Sequence, residues 1–407
     1  MKEKNAIEFE QVVEIGCGAD VHKDIIVVTV LGKDTKPETR SYKTYTSSLI
    51  KLREWLLSKR VTHMAMESTG VYWKPVFNVM GDEIKILLVN ARHVKNVPGH
   101  KTDKGDSQWL AKLLLSGLLK GSFIPERPIR ELRDLTRYKT NLIQMISSER
   151  NRFMKTLEDA NIKLSSVLND VFGVTGTKIM NHVLVFENYR PEELIQYVHG
   201  KVKAPRPEIM EALTGYITPH HRFMLKTILE NISQIERTIR TVEAHIEACI
   251  EPYKVERELL ETIPGVHKES ANRIIAEIGV DMSQFPDQNH LASWAGVCPG
   301  SNETAGKNKS GRITHGNKYL RSLLVESGWA ASRTKNTYMS AKYKSLVGRR
   351  GKKKAIIALG HKILIATYFI LRDKVQFKEL GEDHLNNYRK DRLIAYYQKQ
   401  LEKLTAA

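Results

Sequence analysis

Four acidic residues stand where acids would have to stand to do phosphate chemistry. Asp20 closes a run that reads as a β-strand, and Glu67 follows the short apolar run His63–Met66. Asp103 and Asp106 open a helical stretch, and their i,i+3 spacing puts both on one helical face. Carboxylates gathered in one place repel each other unless a cation sits among them. A set made only of oxygen ligands suits a hard ion such as Mg²⁺ or Mn²⁺. Two such ions on a scissile phosphate orient a nucleophile and stabilise the leaving oxygen. Asp20, Glu67, Asp103 and Asp106 are therefore candidate metal ligands for phosphodiester chemistry. Each also has a plainer alternative. Thr102-Asp103 suits an N-cap or a helix-dipole partner, Asp20 beside Gly18 suits a turn, and Glu67 could cap the helix that follows it.

The elements that must position these acids follow from local pattern. Val12 to Leu31 reads as a β-hairpin broken at Asp20–Asp24, with a β-branched run from Ile25. Arg40–Tyr45 is a third strand, and Thr46-Ser47-Ser48 caps a helix through Leu57. A strand at His63–Met66, a helix from Gly70 or Val71, a strand at Ile84–Val89 and a helix from Lys104 to Leu119 complete the segment. The run Ile84–Val89, apolar but for Lys85, is read as a strand buried on both faces. Three strands in a row, then helix, strand, helix, strand, helix, is the order of an RNase H-like sheet.

Residues 128–260 are helical in period with little strand pattern. Ile228, Ile232, Ile235, Ile239, Val242 and Ile246 are spaced 4, 3, 4, 3, 4, an a/d seam over nearly three heptads. The seam marks a coiled coil between chains, a long helical hairpin, or one helix packed in a bundle. Lys201–Pro207 reads as a loop. Beyond Leu259, Ile263-Pro264-Gly265-Val266 before the helix Glu269–Ile278 has the form of a helix-hairpin-helix, whose Gly turn would expose backbone N–H groups to a phosphate. A polar, Gly-rich stretch runs from Pro299 to Gly316. Helices follow at Asn317–Ser332 and Lys354–Leu371.

Charge supports a polyanionic partner. The 407 residues carry a net charge of +18. Ala305 to Lys354 hold 14 Lys or Arg against one acid, Glu326, so fifty residues carry +13 of that total. These charges are interleaved with apolar helical residues, which favours a phosphate-binding surface over a solubilising face. Within it, Lys307, Lys309, Arg312, Lys318 and Arg321 are the candidate backbone contacts, and Arg349–Lys354 is a further cluster. Hydrophobic and charged fractions of 41% and 27% describe a folded chain of two to four domains. Cys17, Cys249 and Cys298 lack disulfide or zinc spacing and suit a reducing cytosol. No apolar run reaches the roughly 18–20 residues of a membrane span, and Met1–Gln11 has no apolar block of a secretory leader.

The block Gly18-Ala19-Asp20-Val21-His22-Lys23 resembles the first block of the DEDD insertion-sequence transposases, the bridge-RNA-guided serine-type recombinases. Glu67-Ser68-Thr69-Gly70-Val71-Tyr72 and Lys101-Thr102-Asp103-Lys104-Gly105-Asp106 resemble the next two. Ile263-Pro264-Gly265-Val266 and Ala292–Gly300 are similar to blocks of the same family, so the resemblance runs from about Ile15 to Leu371. It implies an α/β RNase H-like N-terminal domain (1–127), a helical coiled-coil insertion for assembly (128–255) and a mainly α C-terminal catalytic and DNA-binding domain (256–407). It also implies Mg²⁺ on Asp20, Glu67, Asp103 and Asp106, and a structured guide RNA that pairs with donor and target DNA. A homo-oligomer, dimer to tetramer, would act in the prokaryotic cytoplasm at the nucleoid, with no membrane.

One position departs from the family. Its nucleophilic serine falls, in Ser301-Asn302-Glu303-Thr304-Ala305-Gly306-Lys307, at Thr304. A threonine has the same hydroxyl, with a methyl that stiffens χ1 and crowds its approach. Thr304 as nucleophile, Ser301 in its place, and a chain inactive in strand transfer are the three readings. Two other functions share the same features. One is an RNase H-like nuclease or junction resolvase that uses water. The other is a non-enzymatic nucleic-acid-binding protein whose acids are structural.

Overall fold

The computed structural model describes residues 13–32, 36–67, 70–81, 83–89, 103–119, 121–300, 303–304, 307–308 and 312–405. The chain divides into two compact units, residues 1–124 and 125–407.

The first unit is a five-stranded sheet in the order β3-β2-β1-β4-β5. β1 (Ile15–Val21), β2 (Ile25–Gly32) and β3 (Glu38–Lys43) form an antiparallel meander. β4 (His63–Glu67) and β5 (Lys85–Val89) run parallel to β1. The helices α1 (Thr46–Ser58) and α2 (Trp73–Met80) make the connections. The order of strands and helices along the chain is the one the sequence pattern leads to. Alternation along each strand splits the sheet into two faces. Cys17, Ala19 and Val21 of β1 and Met64 and Met66 of β4 share one core with Leu49, Leu52 and Leu56 of α1 and Val76 and Met80 of α2. On the opposite face, Ala65 and Val89 pack with Leu110, Leu113 and Leu114 of α3 (Asp103–Leu115). β5 corrects one expectation. It is an edge strand with Lys85 exposed and Ile86 and Leu87 only partly buried, so its apolar run does not mean burial on both faces. Only its end is covered, where Val89 bridges Gly121 and the Ser122 N–H donates to the Leu88 carbonyl at 2.6 Å.

The second unit is helical. Its frame is an antiparallel pair, α4 (Arg127–Asp159) and α5 (Pro219–Ile250). Lys139 pairs with Glu243 at 2.8 Å, and Arg150 reaches Glu236 at 4.0 Å. Ile228, Ile232, Ile235, Val242 and Ile246 are all buried within the chain, against α4. The isoleucine seam, with Ile239 only partly buried, thus packs against the chain's own helix as a long hairpin. At the far end, Phe153, Leu157, Ile162, Ile179, Met180, Leu213, Leu225 and Ile228 form a separate core with short helices from residues 164 to 213.

At the near end lie α6 (Lys254–Glu261), α7 (Lys268–Ile278), α8 (Gln288–Ala295), α9 (Lys318–Arg333) and α10 (Tyr338–Asp373). Among the described residues, α10 is long and apolar enough by composition to cross a membrane. More than half of its apolar stretch is buried inside the unit, and α9 packs along it, so it is a core helix. The turn Ile263–Val266 lies against α9. Gly265 (φ +85°) is buried, and a Cβ there would lie 2.4 Å from the Ser327 carbonyl oxygen and 2.5 Å from the Ala331 nitrogen of α9. The turn is closely packed against α9, and only glycine fits there.

All three cysteines are free thiols. Burial pushes the Cys17 thiol far above its ordinary range and raises that of Cys298.

Candidate functional site

Strand parity decides where the acids go. Gly16, Gly18 and Asp20 alternate with the core-facing Cys17, Ala19 and Val21, so Asp20 lies on the face that α3 covers. Ala65 and Glu67 lie on that same face of β4, opposite to Met64 and Met66. The parallel register pairs Ala19 with Met66, which makes Asp20 and Glu67 the next neighbouring positions on adjacent strands. Neighbouring strands run about 4.8 Å apart. The two carboxylates are therefore side by side at the C-terminal edge of the sheet.

The path of α3 adds the others. A Cβ on Gly16 would meet Leu114 at 3.0 Å, and one on Gly18 would lie 2.2 Å from the Ser107 carbonyl and 2.4 Å from the Ala111 nitrogen. The helix thus runs antiparallel to β1, close enough to require glycine. Two strand residues advance about 6.6 Å, or roughly four helical residues. The next step along β1, at Asp20, therefore reaches the first turn of α3, which carries Asp103 and Asp106. Thr29, the register partner of Gly18, fastens that turn: its Oγ1 lies 2.8 Å from Ser107 Oγ, and both residues are fully buried.

Asp20 is mostly buried, and its Oδ2 lies 3.0 Å from His22 Nε2. Glu67 is half-buried and Asp106 exposed. Among the described residues no group of three or more His, Cys, Asp or Glu side chains is gathered tightly enough to hold a metal ion. What the fold supplies is four acidic positions near one edge of one face.

Gly18→Ala is expected to cost about 3 kcal/mol or more, because its Cβ would overlap backbone that cannot move without lifting α3. Denaturant unfolding measures the loss; a variant as stable as wild type would contradict the close crossing.

The Thr304 segment belongs to the second unit. β6 (Glu303–Thr304) pairs antiparallel with β7 (Lys307–Asn308), with Thr304 opposite Lys307. Below this tip, the Gly300 N–H donates to the Arg312 carbonyl at 2.8 Å and the Thr314 N–H to the Cys298 carbonyl at 3.1 Å. Thr304 is thus at the tip of a hairpin, one step before the connection. Ser301 and Lys309 lie outside the described residues. Arg312 is exposed at the base, Lys318 is exposed at the start of α9, and Arg321 is partly buried one turn later. Cations in the first turn oppose the helix dipole, so this end of α9 favours an anionic neighbour. Arg349, Arg350, Lys352, Lys353 and Lys354 are all exposed around Gly351, where α10 breaks (φ 75°, ψ 162°).

Sequence reading passed over Glu277. It is 3% exposed and accepts hydrogen bonds from Arg137 on both oxygens, at 2.8 Å each, and from Asn317 Nδ2 at 2.5 Å. A signal was present: Arg133 and Arg137 stand one turn apart on α4, beside an acid among the apolar residues of α7.

Residues 17–162 match a family model described as a transposase of the IS110 DEDD type. Residues 257–344 match a second, described as the transposase IS116/IS110/IS902 family. A search of curated proteins finds no match. The two matched segments contain, respectively, the sheet edge with its acids and the Thr304 hairpin with its basic surroundings. The chain therefore carries IS110-family DEDD transposase domains, those of enzymes that cut and rejoin DNA.

Proposed function

We propose that this transposase moves DNA through a covalent protein–DNA intermediate, with Thr304 as the nucleophile and Asp20, Glu67, Asp103 and Asp106 as the carboxylates at the reacting phosphate. The observation that carries the reading is the shared edge. Two acids neighbour each other on parallel strands, and two more stand on the helix turn that crosses above them. That donor set suits Mg²⁺ or Mn²⁺, which would polarise the phosphate and lower the cost of a developing alkoxide.

Thr304 Oγ1 attacks phosphorus, the bond to the 3′-oxygen breaks, and the threonine proton is given up as the 3′-hydroxyl gains one. The phosphothreonine ester keeps the phosphodiester energy, so a second 3′-hydroxyl rejoins the strand by the reverse step without ATP. Lys307, Lys309, Arg312, Lys318 and Arg321 neutralise the backbone near the cut and position it without reading sequence. The Arg349–Lys354 cluster extends that surface. Sequence choice comes from a structured guide RNA, whose helix with DNA the protein reads by shape. Copies of the chain assemble as dimers to tetramers at the nucleoid, with the carboxylates of one chain serving the hairpin of another.

The test is a strand-exchange reaction. Purified protein, Mg²⁺, RNA transcribed from DNA flanking the coding sequence, and two labelled duplexes should yield recombinant product only when the RNA is present. Product formed equally without RNA would remove the guide.

A further inference from the structure

We propose that Glu277 is a positioning residue for the Thr304 hairpin and acts on it through Asn317. The inference rests on the reading that this hairpin carries the nucleophile.

The hairpin has two feet. One is Gly296, which ends α8 in the left-handed region (φ 71°, ψ 35°). The other is Gly316, immediately before α9. The two glycines are packed back to back: a Cβ on Gly316 would lie 2.3 Å from the Gly296 nitrogen. Asn317 locks this junction three ways. Its backbone N–H donates to the Trp294 carbonyl at 3.2 Å. Its Oδ1 caps α9 by accepting from the N–H groups of Tyr319 and Leu320, at 3.0 and 3.1 Å. Its Nδ2 donates to Glu277.

Glu277 in turn is held by α4. Arg137 grips both carboxylate oxygens and stacks over Tyr319 at 4.4 Å. Arg133 donates to the backbone carbonyls of Ala276 and Glu277, at 3.0 and 2.6 Å. The arrangement is expensive to bury: desolvation pushes the Arg133 guanidinium down to about 10. Buried ion pairs add little net stability over apolar packing, because desolvation offsets their attraction. What such a cluster does supply is direction. Here three helices agree on where α9 starts, and hence on where the returning limb of the hairpin leaves the core.

The test is an exchange of roles. Asn317→Asp keeps the cap but sets a second carboxylate against Glu277. Glu277→Gln removes the carboxylate that Arg137 grips and that Arg133 faces. The double variant restores an N–H donor facing a carboxylate, with the net charge of the wild type. Asn317→Ser, which retains capping and adds no charge, covers the case in which a single variant fails to fold. Two readouts are used. The first is the rate at which the protein becomes covalently attached to a labelled duplex from the flanking DNA, in the presence of Mg²⁺ and flank RNA. The second is amide hydrogen exchange at Gly300 and Thr314, the described rungs of the hairpin base.

Each single variant should slow attachment about tenfold or more at unchanged DNA affinity, and the double variant should recover most of that loss. Exchange at Gly300 and Thr314 should rise in the single variants and fall back in the double. Singles that attach at the wild-type rate, or a double no better than either single, would overturn the positioning role. A wild-type protein that never attaches would instead remove the nucleophile reading, and unchanged exchange at the two rungs would then remove the positioning role as well.

Discussion

Asp20→Asn is expected to lower the rate of DNA cleavage by about a thousandfold or more, with the protein still folded and still binding DNA. The magnitude follows from losing several kcal/mol of charge stabilisation at the reacting phosphate, each 1.36 kcal/mol being about tenfold in rate. Asn is isosteric with Asp, so the contact with His22 survives in altered form and the sheet is undisturbed. Glu67→Gln should match it, since the register sets the two acids on neighbouring positions of one face. Single-turnover cleavage with Mg²⁺, alongside DNA binding by each variant, checks this. Cleavage within threefold of wild type in both would return the acids to the structural roles of turn and cap. Chelating the divalent ion should reproduce the loss without mutation.

Thr304→Ala is expected to abolish attachment to DNA altogether, because no other atom of the side chain can form the ester. Thr304→Ser should retain it and, by shedding the methyl that restricts χ1, should be at least as fast as wild type. Thr304 is the register partner of Lys307, so a basic residue stands opposite the proposed nucleophile in the pairing. Removing Lys307 should slow attachment less than removing the hydroxyl. An adduct that persists in Thr304→Ala and disappears in Ser301→Ala would move the nucleophile three residues back and leave the chemistry in place. Binding to DNA by all these variants should weaken steeply with salt, as contacts from the basic segment to phosphates require.

The sheet was legible because its pattern is local. Period-2 alternation and β-branched runs mark β1 and β2, and parity then dictates which residues share a face. What the sequence could not show is what each apolar or glycine residue packs against. Gly18 reads as turn-like, but its reason is the backbone of α3 passing over it. The 4, 3, 4, 3, 4 seam states that a helix is covered and is silent on whether the cover comes from the same chain. Pro264-Gly265 shows a turn but not that the turn is pressed against α9. Glu277 shows the converse. A charged residue in an amphipathic helix is ordinarily solvated, and only the approach of α4 makes this one a buried junction.

The most direct measurement is covalent trapping. The full-length protein, Mg²⁺, flank RNA and an end-labelled duplex from the flanking DNA are incubated, denatured and separated by size. The account predicts a labelled protein–DNA band that is present in wild type, absent in Thr304→Ala and absent in Asp20→Asn. Cut DNA with no protein attached would contradict it and identify a nuclease in which water makes the attack.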